Sequence, residues 1–183
     1  MGYDIALSKA WEDLRVIANE KNYNIRFLNE SYDVEPEKKA IFAISRDTPP
    51  KPYASILILH YLAGLIKGFP PLTGEWVSFR ELPGGYAYHP VFKKRAADII
   101  SRKYGQNPKE LLGIIGRFNA KKVELADAGI ALKVFDDVPV LITLWCGDEE
   151  MGPEANILFD KNITDIFCTE DIVVLAEQLA HSI

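Results

Sequence analysis

The feature that most constrains the fold is the segment 121–145, KKVELADAGIALKVFDDVPVLITLW. Apolar residues run through it in short stretches, and turn-forming residues interrupt it near 127–129 and at Asp136 and Asp137. Short β-rich runs separated by tight turns are typical of neighbouring antiparallel strands. The segment therefore predicts three strands of an antiparallel sheet.

The N-terminal region shows a related pattern. Leu7, Trp11 and Leu14 recur every three or four residues, which predicts an amphipathic helix over residues 4–21. Residues 24–45, NIRFLNESYDVEPEKKAIFAIS, then form three short runs separated by NES and EPEKK. We expect a three-stranded antiparallel meander after the first helix.

Further helices and one strand are predicted from proline, glycine and capping residues. Pro52 and Pro108 suit the first turn of a helix, Gly105 suits a helix end, and the hydroxyl of Thr169 suits an N-cap. The predicted helices span 53–67, 92–104, 108–119 and 169–183. The ILIL core of the first of these leaves a strand as the alternative. The irregular region after it contains one predicted strand over 76–82.

These elements predict an α+β fold with antiparallel sheet and packed helices. The 183 residues, of which 48% are hydrophobic, suit a single domain over 1–183. The two ends share an α-βββ-α order, and a shift of 101 residues matches Ile41 with Ile142 and Pro52 with Pro153. An internal duplication of 4–67 and 108–183 is one interpretation, and coincidence between two similar halves is the other.

Composition excludes several function classes. A net charge of −5 disfavours nucleic acid as a partner, and the basic run FKKRAADIISRK is typical of a solvated helix face. The apolar run 53–66 is about a third too short to cross a bilayer, so no membrane partner is expected. Two cysteines, Cys146 and Cys168, form no disulfide framework or metal motif, and the N-terminus has no apolar signal core. We therefore expect a cytoplasmic protein.

An acidic segment, WCGDEEMGPEANILFD, follows the last predicted strand. Asp148, Glu149 and Glu150 carry the hard oxygen ligands that Mg²⁺, Ca²⁺ and Mn²⁺ prefer, so they are candidate metal ligands. Two alternatives stay open. Asp148 could cap a turn while Glu154 begins a helical turn after Pro153, or the segment could form a ligand or partner surface.

The run LPGGYAYHP is the second candidate site. Its glycine pair permits a tight turn or close approach to a ligand, and its aromatic residues could line a pocket for a planar molecule. A structural turn with packed tyrosines is the alternative, and no phosphate-binding glycine motif is present. The candidate ligand-binding residues are Trp76, Gly84, Gly85, Tyr86, Tyr88, His89 and Trp145.

Three remaining reactive side chains are interpreted as structural. His60 lies in an apolar helix, where a hydrogen-bonded core histidine is expected, and His181 is expected to be exposed. Cys146 follows a strand next to carboxylates, which would raise the pKa of its thiol and oppose nucleophilic catalysis. No Ser-His-Asp or H-E-x-x-H pattern occurs.

Four segments together resemble one known family. They are GEWVSFRELPGGYAYHPVF, VPVLITLWCGDEEMGPEANILFD, LHYLAG and EDIVVLAEQL. They are similar to the domain-of-unknown-function family 3786, found mainly in anaerobic bacteria and archaea, over the chain from about residue 56 onward. Some longer relatives also resemble corrinoid iron–sulfur proteins. The resemblance implies a setting in anaerobic one-carbon or corrinoid metabolism and assigns no cofactor or catalytic residue.

We expect a cytoplasmic binding or accessory protein whose small-molecule or protein partner is unknown. One alternative is a divalent-metal-dependent enzyme of hydrolase type, with metal on the loop Asp148 to Glu150 and His89 as acid or base. The other is a protein–protein interaction module that exposes the apolar segment GFPPL. If the loops around His89 and Asp148 face one cleft, the aromatic side would bind a ligand and the acidic side would orient it.

Overall fold

Two antiparallel sheets are present in the computed structural model, which describes residues 2–183. The N-terminal sheet has three strands in chain order, namely β1 (Tyr23–Phe27), β2 (Glu30–Glu35) and β3 (Ala40–Ala43). Each strand pairs antiparallel with the next one. The α+β class and the N-terminal meander are therefore confirmed.

The second sheet has five strands in the order β4-β8-β7-β6-β5, all antiparallel. They are β4 (Trp76–Ser78), β5 (Lys121–Lys122), β6 (Ala128–Phe135), β7 (Val138–Trp145) and β8 (Glu154–Asp160). The three strands predicted in 121–145 are present as β5, β6 and β7. The chain segment far upstream adds β4 at one edge, next to β8.

Strand β8 corrects the expectation of a helical turn at Glu154. Ala155, Ile157 and Phe159 are buried, whereas Asn156 and Leu158 between them are partly exposed. This alternation has the two-residue period of a strand, and β8 pairs with β7 from Glu154 to Phe159. Burial of every second side chain in the sheet outweighs the local preference for a helix after Pro153.

The helices differ from the predicted ones mainly at their ends. The predicted helix over 108–119 is broken at Gly113 into two short helices, and none of the described helices is long and apolar enough to cross a membrane. The helix at 53–67 is confirmed over the strand alternative. The helices are α1 (Gly2–Ile17), α2 (Pro52–Lys67), α3 (Gly85–Phe92), α4 (Asp98–Tyr104), α5 (Lys109–Leu112), α6 (Ile115–Phe118), α7 (Ile163–Ile166) and α8 (Thr169–Ser182).

The glycine-rich run that was expected to form a loop belongs instead to a helical run. Strand β4 ends at Ser78, and a 3₁₀ turn over Phe79–Glu81 follows, closed by a capping box between Ser78 and Glu81. Helix α3 then begins at Gly85 and continues through a π-helical turn, Lys93–Ala97, into α4. The expectations of a strand over 76–82 and of a loop at 84–89 were therefore wrong beyond Ser78.

One hydrophobic core joins the two sheets. The ring of Phe135 at the end of β6 stacks on Phe27 of β1, with centroids 4.7 Å apart, and on Tyr61 of α2 at 4.2 Å. The N–H of Leu28 donates a hydrogen bond to the carbonyl of Val134 at 2.7 Å. The core lies on one face of the five-stranded sheet, and the other face is called the outer face below.

The proposed internal duplication matches some residues that differ in secondary structure, so these positions do not support it. The shift of 101 residues places Ala54 and Leu57 on Ala155 and Leu158. The first pair lies in helix α2 and the second in strand β8. The duplication of 4–67 and 108–183 stays a prediction.

Candidate functional site

The acidic loop between β7 and β8 is held by Asp148. Its Oδ1 accepts hydrogen bonds from the N–H of Met151 at 2.7 Å and of Glu150 at 2.9 Å, and its own N–H donates to the carbonyl of Met151. The two bonds to Oδ1 lower the pKa of Asp148 below its ordinary value. The carboxylate therefore has the geometry of the turn-capping alternative.

The metal assignment to this loop stays a prediction without geometric support. Glu149 and Glu150 lie within the turn that Asp148 and Met151 close, and both are exposed to solvent. Within residues 2–183, no three or more His, Cys, Asp or Glu side chains are placed to hold a metal ion. The carboxylate best fixed in position, that of Asp148, is occupied with backbone N–H groups.

Cys146 lies next to the acidic loop, but another carboxylate is its partner. Its N–H donates to Oδ2 of Asp127 at 2.7 Å across the hairpin. Desolvation and the charge of Asp127 raise the pKa of the Cys146 thiol. This increase in pKa agrees with the expectation for a thiol near carboxylates. It disfavours the thiolate form that a nucleophilic cysteine needs.

The residues of LPGGYAYHP do not surround a pocket with the acidic loop. Tyr86 and Tyr88 are 70% and 47% exposed, and the guanidinium of Arg80 lies 4.8 Å from the Tyr86 ring. His89 is half-buried, with its ring 6.4 Å from that of Phe92. Gly84 has a φ of +74° and precedes the first turn of α3. These residues form the solvent-facing start of a helical run.

The two predicted loops lie at opposite ends of that helical run. At its start, Gly85 packs against the backbone of Phe79, and beyond its other end Gly105 packs against Pro153 of the acidic loop. The helical run between them covers twenty residues, and Pro153 also lines a cavity with Lys94 and Asp98 in the middle of that run. The metal-dependent enzyme alternative, which needs His89 near Asp148, stays a prediction, and no contact between these two residues supports it.

His60 has a specific partner. Its Nδ1 lies 2.8 Å from Oδ2 of Asp171, a buried residue in the first turn of α8. The His60 side chain is partly exposed and lines a cavity of about 520 Å³ together with Cys168. Burial raises the pKa of the Cys168 thiol. The hydrogen bond expected of His60 is present, but its side chain is partly exposed and does not lie in the core as expected, whereas His181 is exposed as expected.

The segment GFPPL is partly held in place by contacts with the rest of the chain. The ring of Phe69 packs on Tyr61 at 5.2 Å, and Nδ2 of Asn162 donates to the carbonyls of Pro70 and Pro71. Leu72 is 48% exposed. The interaction-module alternative stays a prediction, and it depends on few exposed apolar side chains.

Trp76 and Trp145 lie at opposite ends of β8. Trp76 pairs with Asp160, and Trp145 pairs with Glu154. The two indoles are 38% and 42% exposed. They therefore belong to two separate regions of the sheet.

Trp76 lines a cleft of about 640 Å³. The cleft lies beside the outer face of the five-stranded sheet, between that face, the region of α6 and the turn after β1. We name it the Trp76 cleft. Its lining residues are Arg26, Asn29, Trp76, Gly116, Arg117, Phe118, Asn119, Lys121, Ala131, Leu132, Lys133, Asp136 and Pro139.

Positive charge dominates the Trp76 cleft. It contains Arg26, Arg117, Lys121 and Lys133 but only one carboxylate, that of Asp136. Nε of Arg26 lies 2.7 Å from Oδ1 of Asp136, so this carboxylate is already neutralised. Lys121 and Lys133 have no ion-pair partner within residues 2–183.

Trp76 was predicted from the sequence as a ligand-binding residue, but the basic residues of the cleft were not. They come from β1, α6, β5 and β6, so no basic run marks them along the chain. A weak signal exists in Lys133, the single charged residue within the apolar strand β6. Because it alternates with the buried Leu132 and Val134, its position predicts an outward-facing side chain.

Comparison with known proteins identifies a family and no activity. The model of the family described as a domain of unknown function, DUF3786, matches residues 7–182. Neither a curated protein nor a solved structure matches the chain.

Proposed function

The chain belongs to the DUF3786 family of domains of unknown function, and from the geometry of its basic cleft we propose that it binds a small anionic molecule. The Trp76 cleft has room for such a ligand, since typical small-molecule sites measure about 300 to 1,000 Å³. The cleft combines an aromatic side chain, on which a planar group can stack, with several basic groups that attract an anion.

The observation that carries this proposal is the local reversal of charge. The whole chain has 21 Lys and Arg against 26 Asp and Glu, whereas the cleft has four basic residues against one acid. Such a concentration of like charge raises the free energy of the unliganded protein through mutual repulsion. An anion in the cleft removes this repulsion and gains attraction to the same groups.

The three basic side chains of the cleft that are not paired with Asp136 have distinct parts in binding. Arg117 is held in place, because its Nη2 donates to the carbonyl of Ser182 at 2.6 Å and its guanidinium lies 4.6 Å from the Phe118 ring. Lys121 and Lys133 supply mobile ammonium groups for a phosphate or carboxylate. The indole of Trp76 offers a face on which a planar group can stack.

The biological setting is part of the proposal. We propose a binding or accessory role in anaerobic one-carbon or corrinoid metabolism, as the family resemblance implies. We also propose a cytoplasmic location, which is supported by two free cysteines, because disulfides are rare in reducing compartments.

The test is titration calorimetry of the purified protein with pyrophosphate and adenosine monophosphate. We expect one of these anionic or phosphate-bearing probes to bind, and Lys133→Glu to weaken it by at least about tenfold, since a charge-assisted hydrogen bond contributes about 1.5 to 3 kcal/mol. Lys9→Glu, an exposed change on α1, is the matched charge control.

Trp76→Ala is the second variant, with Trp145→Ala as the comparison at the other end of β8. Loss of affinity in Trp76→Ala alone supports the Trp76 cleft. An equal response of Lys9→Glu and Lys133→Glu would mean that net charge alone governs binding. That result, or binding that depends on Trp145 and not on Trp76, would contradict the proposal.

A further inference from the structure

A second cavity of about 630 Å³ adjoins the Trp76 cleft. Asn29, Arg117 and Phe118 line both of them. We name the second one the Lys51 cavity. Its further lining residues include Arg46, Lys51, Tyr53, Gln178, His181 and Ser182.

The Lys51 cavity repeats the charge reversal of its neighbour. Arg46 and Lys51 line it together with a single carboxylate, Glu30. That carboxylate is already engaged, because the hydroxyl of Ser45 donates to it and Nε of Arg46 lies 3.8 Å away. Lys51 makes a contact with the ring of Tyr53 at 5.9 Å and no ion pair within the described chain.

Arg117 makes the two cavities electrostatically continuous. Arg117 lines both of them, and its bond to the Ser182 carbonyl uses only part of its five N–H donors. Across both cavities, six Lys or Arg residues face two carboxylates, Glu30 and Asp136. Since both carboxylates have basic partners, the excess charge of the combined groove is positive.

The helix dipoles at the Lys51 cavity do not determine whether its electrostatic potential is positive or negative. The first turn of α2, with Lys51 as its N-cap and no acidic residue, opens onto the Lys51 cavity. The last turn of α8, with His181, also lines this cavity. The positive end of one helix and the negative end of the other offset each other. The basic side chains therefore determine what the cavity attracts.

Resting on the proposed function, we infer that the two cavities form one groove for an elongated ligand with two separated anionic groups. A planar ring lies on Trp76, and one anionic group lies between Lys121 and Lys133. The second anionic group reaches past Arg117 to Arg46 and Lys51. The ligand class is a phosphorylated, cofactor-sized molecule with a planar ring.

The experiment compares two nucleotide probes that differ by one phosphate, adenosine 5′-monophosphate and adenosine 3′,5′-bisphosphate. Both are titrated by calorimetry into the wild-type chain, Lys133→Ala, Lys51→Ala and the control Lys9→Ala. We expect the bisphosphate to bind the wild type at least about tenfold more tightly. Lys133→Ala should weaken both nucleotides, and Lys51→Ala should weaken the bisphosphate at least fivefold more than the monophosphate.

The outcomes separate this inference from the proposed function. Equal affinities of the two nucleotides, with equal effects of Lys51→Ala on both, would overturn the two-group groove but leave a single anion site if Lys133→Ala still weakens binding. Binding that responds to neither lysine, or only as the control does, would overturn both. If neither nucleotide binds, the inference is overturned, and the proposed function then depends on the pyrophosphate titration. Circular dichroism of each variant excludes misfolding as the cause.

Discussion

At the residue scale, Asp160 is a buried carboxylate surrounded by hydrogen-bond donors. It is 4% exposed at the end of β8 and accepts hydrogen bonds from the N–H groups of Thr73 and Gly74 at 3.1 and 2.8 Å, from the Thr73 hydroxyl at 2.9 Å, and from the N–H of Asn162 at 3.2 Å. Burial alone would raise its pKa, but these bonds outweigh burial and hold the pKa below its ordinary value. Asp160 therefore fixes the segment that leads into β4 and Trp76.

Asp160→Asn should destabilise the protein by about 1.5 to 3 kcal/mol at pH 7, the usual contribution of hydrogen bonds to a charged group. The amide brings an N–H group where the site needs acceptors. Urea unfolding measures the change. Asp165→Asn, at an exposed position nearby, is the control and should change stability by less than about 0.5 kcal/mol. Equal stability of the two variants would contradict this role.

The same residue predicts an acid dependence. Because the pKa of Asp160 is lower in the folded chain than in the unfolded chain, its stabilising effect is complete above the unfolded value of about 3.9. The effect is lost as the pH falls through the folded value. The stability difference between wild type and Asp160→Asn should therefore shrink when urea unfolding is repeated from pH 6 down to pH 3. A difference that is constant over this range would contradict the prediction.

At the element scale, the start of the helical run depends on one close approach. A Cβ atom on Gly85 would lie 1.8 Å from the carbonyl oxygen of Phe79, and the N–H of Gly85 already donates to the carbonyl of Leu82 at 2.8 Å. The 3₁₀ turn after β4 and the first turn of α3 can therefore stack only if residue 85 lacks a side chain. This contact explains why residue 85 is a glycine, and no bound ligand is needed to account for it.

Gly85→Ala should cost about 1 to 3 kcal/mol of unfolding free energy, because the new methyl group must displace backbone. Thermal unfolding followed by circular dichroism measures the loss. Gly152→Ala is the matched control, since nothing lies within 4 Å of its added Cβ. If Gly85→Ala were as stable as Gly152→Ala, the close contact with Phe79 would not exist in solution.

At the scale of the whole molecule, Phe135 joins parts that are far apart in the chain. Besides Phe27 and Tyr61, its ring contacts that of Phe167 at 5.8 Å, and it is fully buried. Arg26 adds a link between the sheets, because its Nη1 donates to the carbonyl of Lys133 at 3.4 Å. The two sheets therefore share packing and hydrogen bonds, and we expect them to unfold together.

Phe135→Ala should lower the unfolding free energy by about 3 to 5 kcal/mol, the usual effect of truncating a buried aromatic ring. Native-state hydrogen exchange should show the same loss at the amides of Val34 in β2 and Ile142 in β7, one from each sheet. Phe42→Ala, on the partly exposed edge strand β3, should cost about 1 kcal/mol or less. A loss confined to Val34 would mean that the three-stranded sheet opens by itself.

Much of the fold could be predicted from local patterns. The strands β6 and β7 follow from apolar runs around the turn at Asp136 and Asp137, because both partners of a hairpin are close in sequence. Helix α2 follows from Pro52 and a long apolar run. Strand β8 could not be predicted in the same way. The alternating burial of its side chains depends on its position beside β7 and under the helical run, which the local sequence does not show.

The candidate site shows the same division. The α+β class and the antiparallel meander follow from local patterns, because alternation, turns and caps are interactions between near neighbours. The grouping of Trp76 with Arg117 and Lys133, apart from Tyr86 and Trp145, follows from how distant elements pack together. The physical reason is that a charged cleft depends on distances in space, and here its basic groups come from four elements between residues 26 and 133.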